Sequence, residues 1–334
     1  MATIGASRKP TRLTAPLPPR YTLRSVSSPV TPEPSVVAPG NHDGVHLGHR
    51  ALIAAARSRA ATDRLRTVAM FFDPHPSEVL SHGASPMALT TADRRRELLV
   101  DAGCDSVVIQ PFDAAFASLS PEDFTSQILV SRLGARAVVV GPDFRFGHRR
   151  AGDLGSLRAL GAVHGFDVVT VRPVIVGGER VSSTRVRELL SAGDAAAAAE
   201  LLGRVHDVSG TVEKGDGRGR SLGYPTANLR CDPVALPADG VYAVVARVPG
   251  TGIVGGVANI GVRPTFDAGR AVEVHLLDES QTLYGARLRI GFVERLRPER
   301  RFDDVEALKT QIAQDVAQAR AALDSAERER WAWI

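Results

Sequence analysis

The chain has 334 residues, of which 44% are hydrophobic and 23% charged, a length and composition typical of a globular protein with two domains. No apolar run approaches the roughly 18 residues of a membrane-spanning helix, and Cys104 and Cys231 are too few for a disulfide framework or a metal site. The formal net charge of +4 resides in residues 1–34, so the rest of the chain indicates no nucleic-acid-binding face, and we expect a cytoplasmic protein without nucleic-acid or membrane partners.

Residues 1–34 have an unusual composition. They contain five basic residues against one acidic residue, together with seven of the 21 prolines, which interrupt regular helix or strand. We therefore predict a mostly disordered leader. An arginine-rich, acid-poor segment is also typical of an organellar transit peptide, but the scattered prolines oppose an amphipathic helix and favour a dispensable tail.

The folded part begins with a short strand, a glycine-bearing turn and a helix. Apolar residues 36–38 predict the strand, and residues 51–61 predict the helix, an arrangement that places phosphate at a helix N-terminus. His46 and His49 share a face of the first helical turn, where two imidazoles can hydrogen-bond phosphate oxygens and stabilise transition-state charge. The alternative is a zinc site with His75 as third ligand, but the pattern favours phosphate chemistry.

Strands and helices then alternate along the first half of the chain. The predicted strands are residues 66–72, 106–110, 137–140 and 168–171, and the predicted helices are residues 91–102 and 121–133. This alternation predicts a parallel sheet with helices on both faces. Ligands bind beyond the carboxyl ends of the strands in such a sheet.

Two motifs follow strands at that edge. Asp73 and His75 belong to the rigid turn Asp-Pro-His-Pro, and Asp143, Phe144 and Arg145 belong to a later loop. Aromatic rings and an arginine suit a flat ring and its phosphate, although a turn with buried phenylalanines explains the second motif equally well.

A Ser-Ser-Thr sequence ends the first half. Ser183 or Thr184 is expected to cap the helix that follows, and Arg187 then projects from its first turn beside free N–H groups. A capped surface helix is the simpler interpretation. Beside the two histidines of the first helix, however, the segment predicts a second phosphate-binding element.

The second half follows a different pattern. An alanine-rich helix over residues 195–202, capped by Asp194, is expected to join the domains. Short alternating strands between glycine and proline turns predict an antiparallel barrel at residues 207–212, 240–248, 253–260, 272–277 and 288–296. Asp303 and Glu306 have capping-box spacing at the start of a long final helix. Its apolar residues recur every three or four positions and predict a face that packs on the barrel: Val305, Leu308, Ile312, Val316, Ala319 and Leu323.

A glycine-rich loop is the strongest signal in this half. It contains Gly215, Gly217, Gly219 and Arg220. Alternate glycines permit a sharp turn that aims several backbone N–H groups at one anion. In the turn that follows, Thr226 and Asn228 offer a hydroxyl and an amide oxygen, which Mg²⁺ accepts beside phosphates. We therefore predict an ATP–Mg²⁺ site. Glu273 lies mid-strand and points away from its valine neighbours, a pattern that by itself favours solvent over a ligand site.

These motifs resemble those of a known family. Residues 40–49 with Ser182-Ser183-Thr184-x-x-Arg187 are similar to nucleotidyltransferases that join a phosphate to the α-phosphate of ATP, and most similar to the adenylyltransferase half of bacterial bifunctional riboflavin kinase/FMN adenylyltransferases (FAD synthetases). Residues 215–229, 256–266 and 272–278 resemble the kinase half of the same family. The resemblance covers roughly residues 35–325, in the family's domain order.

The resemblance implies an α/β, Rossmann-like nucleotidyltransferase domain over residues 35–190, a connecting helix over 191–203, and a mainly antiparallel β-barrel kinase domain with a long C-terminal helix over 204–334. It implies phosphorylation of riboflavin to FMN by ATP, and then adenylylation of FMN to FAD with release of pyrophosphate. Mg²⁺ is the implied cofactor, and riboflavin, FMN and ATP are the implied partners.

The resemblance also implies roles for individual residues. In the kinase half, Glu273 falls on the catalytic base, Thr226 and Asn228 on Mg²⁺–ATP ligands, and Arg263 on a loop that closes over nucleotide and flavin. In the other half, catalytic positions fall on His46, His49 and Arg187. The implied phosphate contacts are Gly40, Asn41, Gly48, Ser183 and Thr184, with Gly215, Gly217, Gly219 and Arg220 in the kinase half. The implied flavin contacts are Asp73, His75, Asp143, Phe144, Arg145 and Arg263.

One position departs from the family. His42 stands where the family usually has phenylalanine, which predicts altered packing beneath the loop or an altered flavin contact. Two other functions remain open. One is an adenylyl- or cytidylyltransferase that acts on a smaller phosphate ester, and the other is a non-catalytic flavin-binding or regulatory protein.

Overall fold

A computed structural model describes residues 32–80, 85–215, 219, 222–262, 270–279 and 282–334. Five parallel strands form the first sheet, in the spatial order β3-β2-β1-β4-β5. They are β1 (Ser35–Pro39), β2 (Arg66–Asp73), β3 (Ser106–Pro111), β4 (Ala135–Val140) and β5 (Asp167–Thr170). The predicted parallel sheet is thus confirmed.

Helices cover both faces of this sheet. They are α1 (Leu47–Asp63), α2 (Pro76–Leu80), α3 (Ala92–Asp101), α4 (Ala114–Ala117), α5 (Pro121–Asp123) and α6 (Leu154–His164), with a π-helix over Phe124–Arg132 and a 3₁₀ turn over His148–Arg150. Alternate residues of β1 enter opposite cores, as the two-residue period of a strand requires. Val36 packs with Ile53 of α1 on one face, and Val37 packs with Leu157 of α6 on the other.

Two helices join the sheet to the second half. A short hairpin of β6 (Ile175–Val176) and β7 (Glu179–Arg180) precedes α7 (Ser183–Ala192) and α8 (Ala195–Leu202). The predicted cap of α7, Ser183 or Thr184, is wrong, because it is the hydroxyl of Ser182 that accepts the N–H of Arg185. Asp194 caps α8 as predicted.

Six antiparallel strands close into a barrel in the order β10-β11-β12-β9-β8-β13. They are β8 (His206–Glu213), β9 (Ala227–Cys231), β10 (Gly240–Val248), β11 (Gly252–Val262), β12 (Arg270–Leu276) and β13 (Arg287–Arg297). The predicted barrel is confirmed, but β9 was not among the predicted strands. Inward residues such as Tyr242, Val274 and Phe292 are fully buried and fill the barrel.

A long helix, α9 (Val305–Ser325), packs on the outside of the barrel, and a 3₁₀ turn over Arg328–Trp331 follows. Its cap is Asp304 rather than the predicted Asp303. Ala319 and Leu323 of the predicted apolar face are buried against the barrel, whereas Val305 is 54% exposed. Within the described ranges, no helix is long and apolar enough to cross a membrane.

Candidate active sites

The first candidate site begins at the N-terminus of α1, where His46 is the cap residue. Its Nδ1 accepts the backbone N–H of His49 at 3.4 Å, so the neutral ring carries its proton on Nε2. The two rings stack with their centroids 3.7 Å apart. The predicted pairing on one face is therefore present, and it lies at a helix N-terminus, where anions bind.

A third histidine lies beneath this pair. His42 is fully buried, its Nε2 donates to the carbonyl of Ala38 at 3.0 Å, and its ring meets that of His49 edge-on at 5.1 Å. Burial lowers the pKa of His42 and of His46 to about 4, and lowers the pKa of His49 well below its ordinary value. All three rings are therefore neutral at pH 7, and they can donate hydrogen bonds without adding charge.

This burial predicts acid sensitivity. The unfolded chain binds protons on these histidines below pH 6.5 and the folded chain does not, so the free energy of unfolding should fall as pH drops from 6.5 towards 4. Each histidine contributes a slope of about 1.4 kcal/mol per pH unit. His42→Phe should remove one such slope. Urea unfolding at several pH values would measure it, and an unchanged slope in the variant would contradict the burial of a neutral His42.

Asp43 connects this loop to two other segments. Its carboxylate accepts the backbone N–H groups of Leu89 and Thr90 and forms ion pairs with Arg95 at 3.0 Å and Arg187 at 2.5 Å. Arg187, predicted from the Ser-Ser-Thr motif, is thus held against the loop that carries His46. Sequence reasoning missed Asp43 and Arg95. Asp43 lies within the recognised motif, but nothing in the sequence pairs it with these arginines.

The N-terminus of α7 reaches the same loop. The hydroxyl of Ser183 donates to the carbonyl of Asp43 at 2.9 Å, and Thr184 follows it, exposed, in the first turn of α7. Gly48 packs against the His46 ring, since a Cβ there would lie 3.0 Å from its Cε1. Gly40 likewise packs on the His42 ring, with a Cβ distance of 3.3 Å.

The predicted flavin contacts lie beyond β2 and β4. The Nε2 of His75 is 2.9 Å from the Nδ2 of Asn41, which joins the second motif to the first. Asp73 ends β2. Arg180 holds both carboxylate oxygens of Asp143, at 2.8 and 3.0 Å, and thereby lowers the pKa of that carboxyl. Arg180 was not predicted.

The remaining residues of that loop differ in exposure. Phe144 stacks on Phe146 with 5.6 Å between centroids, whereas Arg145 is exposed and lies 3.7 Å from Asp153.

In the part of the chain that the structure describes, no three His, Cys, Asp or Glu side chains are grouped as a metal site requires.

The second candidate site is a polar row on the outer face of the barrel. Glu273 of β12 lies directly opposite Asn228 of β9 and Asn259 of β11, so the three side chains share one face. The neighbouring valines of Glu273 point into the buried interior. Glu213 of β8 is the other register partner of Asn228, and it forms an ion pair with Arg230 at 2.6 Å.

Of the described glycines of the loop, Gly215 lies against this row and Gly219 against the turn that precedes β9. A Cβ at Gly215 would be 2.2 Å from the Nδ2 of Asn228, and one at Gly219 would be 2.4 Å from the carbonyl of Tyr224 and 3.0 Å from the Oγ1 of Thr226. Only glycine allows this approach, because real Cβ contacts are longer. Gly217, Arg220 and Arg263 lie outside the described residues.

These two sites define a class of protein, in which an α/β nucleotide-binding module is fused to a barrel with a carboxylate and a glycine loop. Residues 28–185 match the family described as FAD synthetase, and residues 202–323 match the family described as riboflavin kinase. The chain belongs to the bifunctional riboflavin kinase/FMN adenylyltransferase family.

Two relatives carry the name of this family. The bifunctional riboflavin kinase/FMN adenylyltransferase of Escherichia coli (strain K12) is 40% identical over 289 residues, which cover 86% of this chain and 92% of that protein. The protein of the same name from Pseudomonas fluorescens is 42% identical over 292 residues, covering 86% and 93%. A crystal structure from Streptococcus pneumoniae, described as a macrolide-efflux protein, is 32% identical with a TM-score of 0.81, covering 87% of this chain and 95% of that one.

Proposed function

We propose that the chain makes FAD from riboflavin in two ATP-dependent steps, each in its own module. The observation that carries this proposal is the presence of both family matches in one chain, each around one of the two candidate sites. Residues 35–190 would form the adenylyltransferase, residues 191–203 the connection, and residues 204–334 the kinase.

In the kinase step, Glu273 accepts the proton of the ribityl 5′-hydroxyl as that oxygen attacks the γ-phosphorus of ATP, the bond to the β,γ-bridging oxygen breaks, and ADP leaves. Gly215 and Gly219 bring backbone N–H groups close to the phosphates, as their approach to the polar row supports. The hydroxyl of Thr226 and the amide oxygen of Asn228 are hard neutral donors that fit Mg²⁺. When bound, Mg²⁺ neutralises phosphate charge.

In the adenylyltransferase step, the FMN phosphate attacks the α-phosphorus of ATP in line and pyrophosphate leaves. His46 and His49 donate neutral N–H groups to the phosphate oxygens, while Ser183 and Thr184 bind phosphate at the N-terminus of α7. Arg187 supplies the positive charge. No covalent intermediate is needed, because the attacking oxygen comes from FMN.

The remaining predicted residues would surround the substrates. Flavin would be contacted by Asp73, His75, Asp143, Phe144 and Arg145. The phosphate site would be lined by Gly40, Asn41 and Gly48.

We also propose a cytoplasmic location, since both cysteines are free thiols.

A time course tests the function directly. Purified protein incubated with riboflavin, ATP and Mg²⁺ should produce FMN first and FAD later, as followed by chromatography of the flavins. EDTA should stop the conversion if Mg²⁺ is required. FMN alone would contradict the adenylyltransferase step. No product would favour a non-catalytic flavin-binding protein, and rejection of supplied FMN would favour a transferase for a smaller phosphate ester.

A further inference from the structure

The loop between β1 and α1 has a strained backbone. His42, Gly44 and Val45 have φ values of 50°, 80° and 42°. A positive φ is unfavourable for a non-glycine residue, and especially for a β-branched one such as Val45. Strained backbone of this kind persists only where surrounding contacts hold it in place.

Three side chains hold the backbone carbonyl groups of this loop. Arg95 donates to the carbonyl of Asn41 at 3.0 Å, and Ser183 donates to that of Asp43 at 2.9 Å. The third donor is Arg204, whose Nη2 lies 2.9 Å from the carbonyl oxygen of Gly44. The first two come from the α/β module, whereas Arg204 lies just before β8 and so belongs to the start of the barrel module.

Arg204 is held in an environment that disfavours its charge. It is 2% exposed, its Nε has no hydrogen-bond partner among the described residues, and burial lowers its pKa to about 10, so it remains a cation at pH 7. The buried carboxylate nearby, Asp207, has its own partner, since Arg94 donates to both its oxygens at 2.9 and 2.7 Å. The charge of Asp207 offsets part of the effect of burial on the pKa of Arg204, but the hydrogen bonds to its carboxylate come from Arg94, so the N–H groups of Arg204 bind elsewhere.

The hydrogen bonds that Arg204 makes explain its position better. Its Nη1 donates to the carbonyl of the adjacent Val205, and its Nη2 is the group that crosses to Gly44. Gly44 lies between Asp43, which holds Arg187, and the segment that leads to His46. A shift of the Gly44 carbonyl would therefore move Arg187 and His46 relative to each other.

We propose that Arg204 is a positioning residue for the adenylyltransferase reaction, supplied by the barrel module. Its hydrogen bond fixes the position of the Gly44 carbonyl, and this keeps the side chains of His46 and Arg187 at a constant distance and orientation to each other. This inference rests on the proposed function of the α/β module. The described part of the kinase site lies on β9, β11 and β12, and Arg204 has no hydrogen bond or ion pair with these described residues.

The test compares the two activities within the same molecule. Arg204→Met should lower kcat for FMN adenylylation about 10- to 100-fold, because small displacements of reacting groups have effects of this size. The KM for ATP should change less than kcat, and riboflavin phosphorylation should stay within about twofold of wild type. Arg204→Lys retains one donor and should recover part of the lost kcat.

Arg289→Met is the matched control. Arg289 pairs with Glu97 of α3 at 2.7 Å across the same boundary between modules, but its hydrogen bonds and ion pairs with described residues go to Glu97 and Ser209 and not to the loop. It should leave adenylylation unchanged. Equal losses in both variants, normal adenylylation by Arg204→Met, or a joint loss of both activities in Arg204→Met would each overturn the inference. A wild-type enzyme that fails to adenylylate FMN would overturn the proposed function, and the inference with it.

Discussion

Glu273→Gln is expected to reduce FMN formation from riboflavin severely while sparing FAD formation from supplied FMN. Glutamine keeps the shape of the side chain but cannot accept the proton of the attacking hydroxyl. A positioned general base contributes about 10²- to 10⁴-fold to a rate, so the kinase rate should fall by that factor. The residues proposed to contact the phosphates in adenylylation belong to the other module, so that activity should remain.

The polar row provides a matched control for this variant. Glu213 and Glu273 flank Asn228 on neighbouring strands, and both are its direct register partners. Glu213 is exposed and already paired with Arg230. Glu213→Gln should therefore retain kinase activity. Separate assays of the two half-reactions distinguish the variants, and equal losses in both would mean that Glu273 is not the base.

Much of the fold follows from local patterns. The apolar strands alternate with helices in the first half, and turns separate short strands in the second, so both architectures were predictable. Strand β9 was missed because it has only five residues, two of them Asn228 and Arg230. Its conformation is stabilised by pairing with β8 and β12. The glycine-rich loop separates it from β8 in the sequence, and two further strands separate it from β12.

Helix boundaries shifted for similar reasons. Ser182, Ser183 and Thr184 can all cap a helix, and local sequence does not distinguish them. Ser183 instead donates to the carbonyl of Asp43, a contact between residues 140 positions apart.

In α9, Gln311 and Asp315 are buried although they are polar, because Arg297 of β13 binds the carboxylate of Asp315.

The candidate sites were predictable to the extent that they consist of short motifs. His46 and His49 are close in sequence, so helical spacing alone brings their rings together. Asp43, Arg95 and Arg187 are separated by 52 and 144 positions and meet only through the fold. A motif therefore identifies the groups proposed to bind the phosphates, whereas the side chains that hold those groups in place are found only in the structure.

His46→Asn should abolish FAD formation from FMN and leave FMN formation intact. The Nδ1 of His46 caps α1, while its Nε2 carries the proton that we propose it donates to a phosphate. Asparagine is a good cap but has no group that reaches the position of Nε2. Loss of one positioned donor to a developing charge costs about 10²- to 10³-fold in rate.

His46→Ala separates the two functions. It removes the cap as well as the ring, so it should also lose about 1 kcal/mol of stability, measured by urea unfolding, that His46→Asn retains. If the histidine acted only as a cap, His46→Asn would remain active and His46→Ala would be merely less stable. Because the two substitutions differ in the cap and agree in lacking the ring, equal loss of adenylylation in both identifies the ring N–H as the catalytic group.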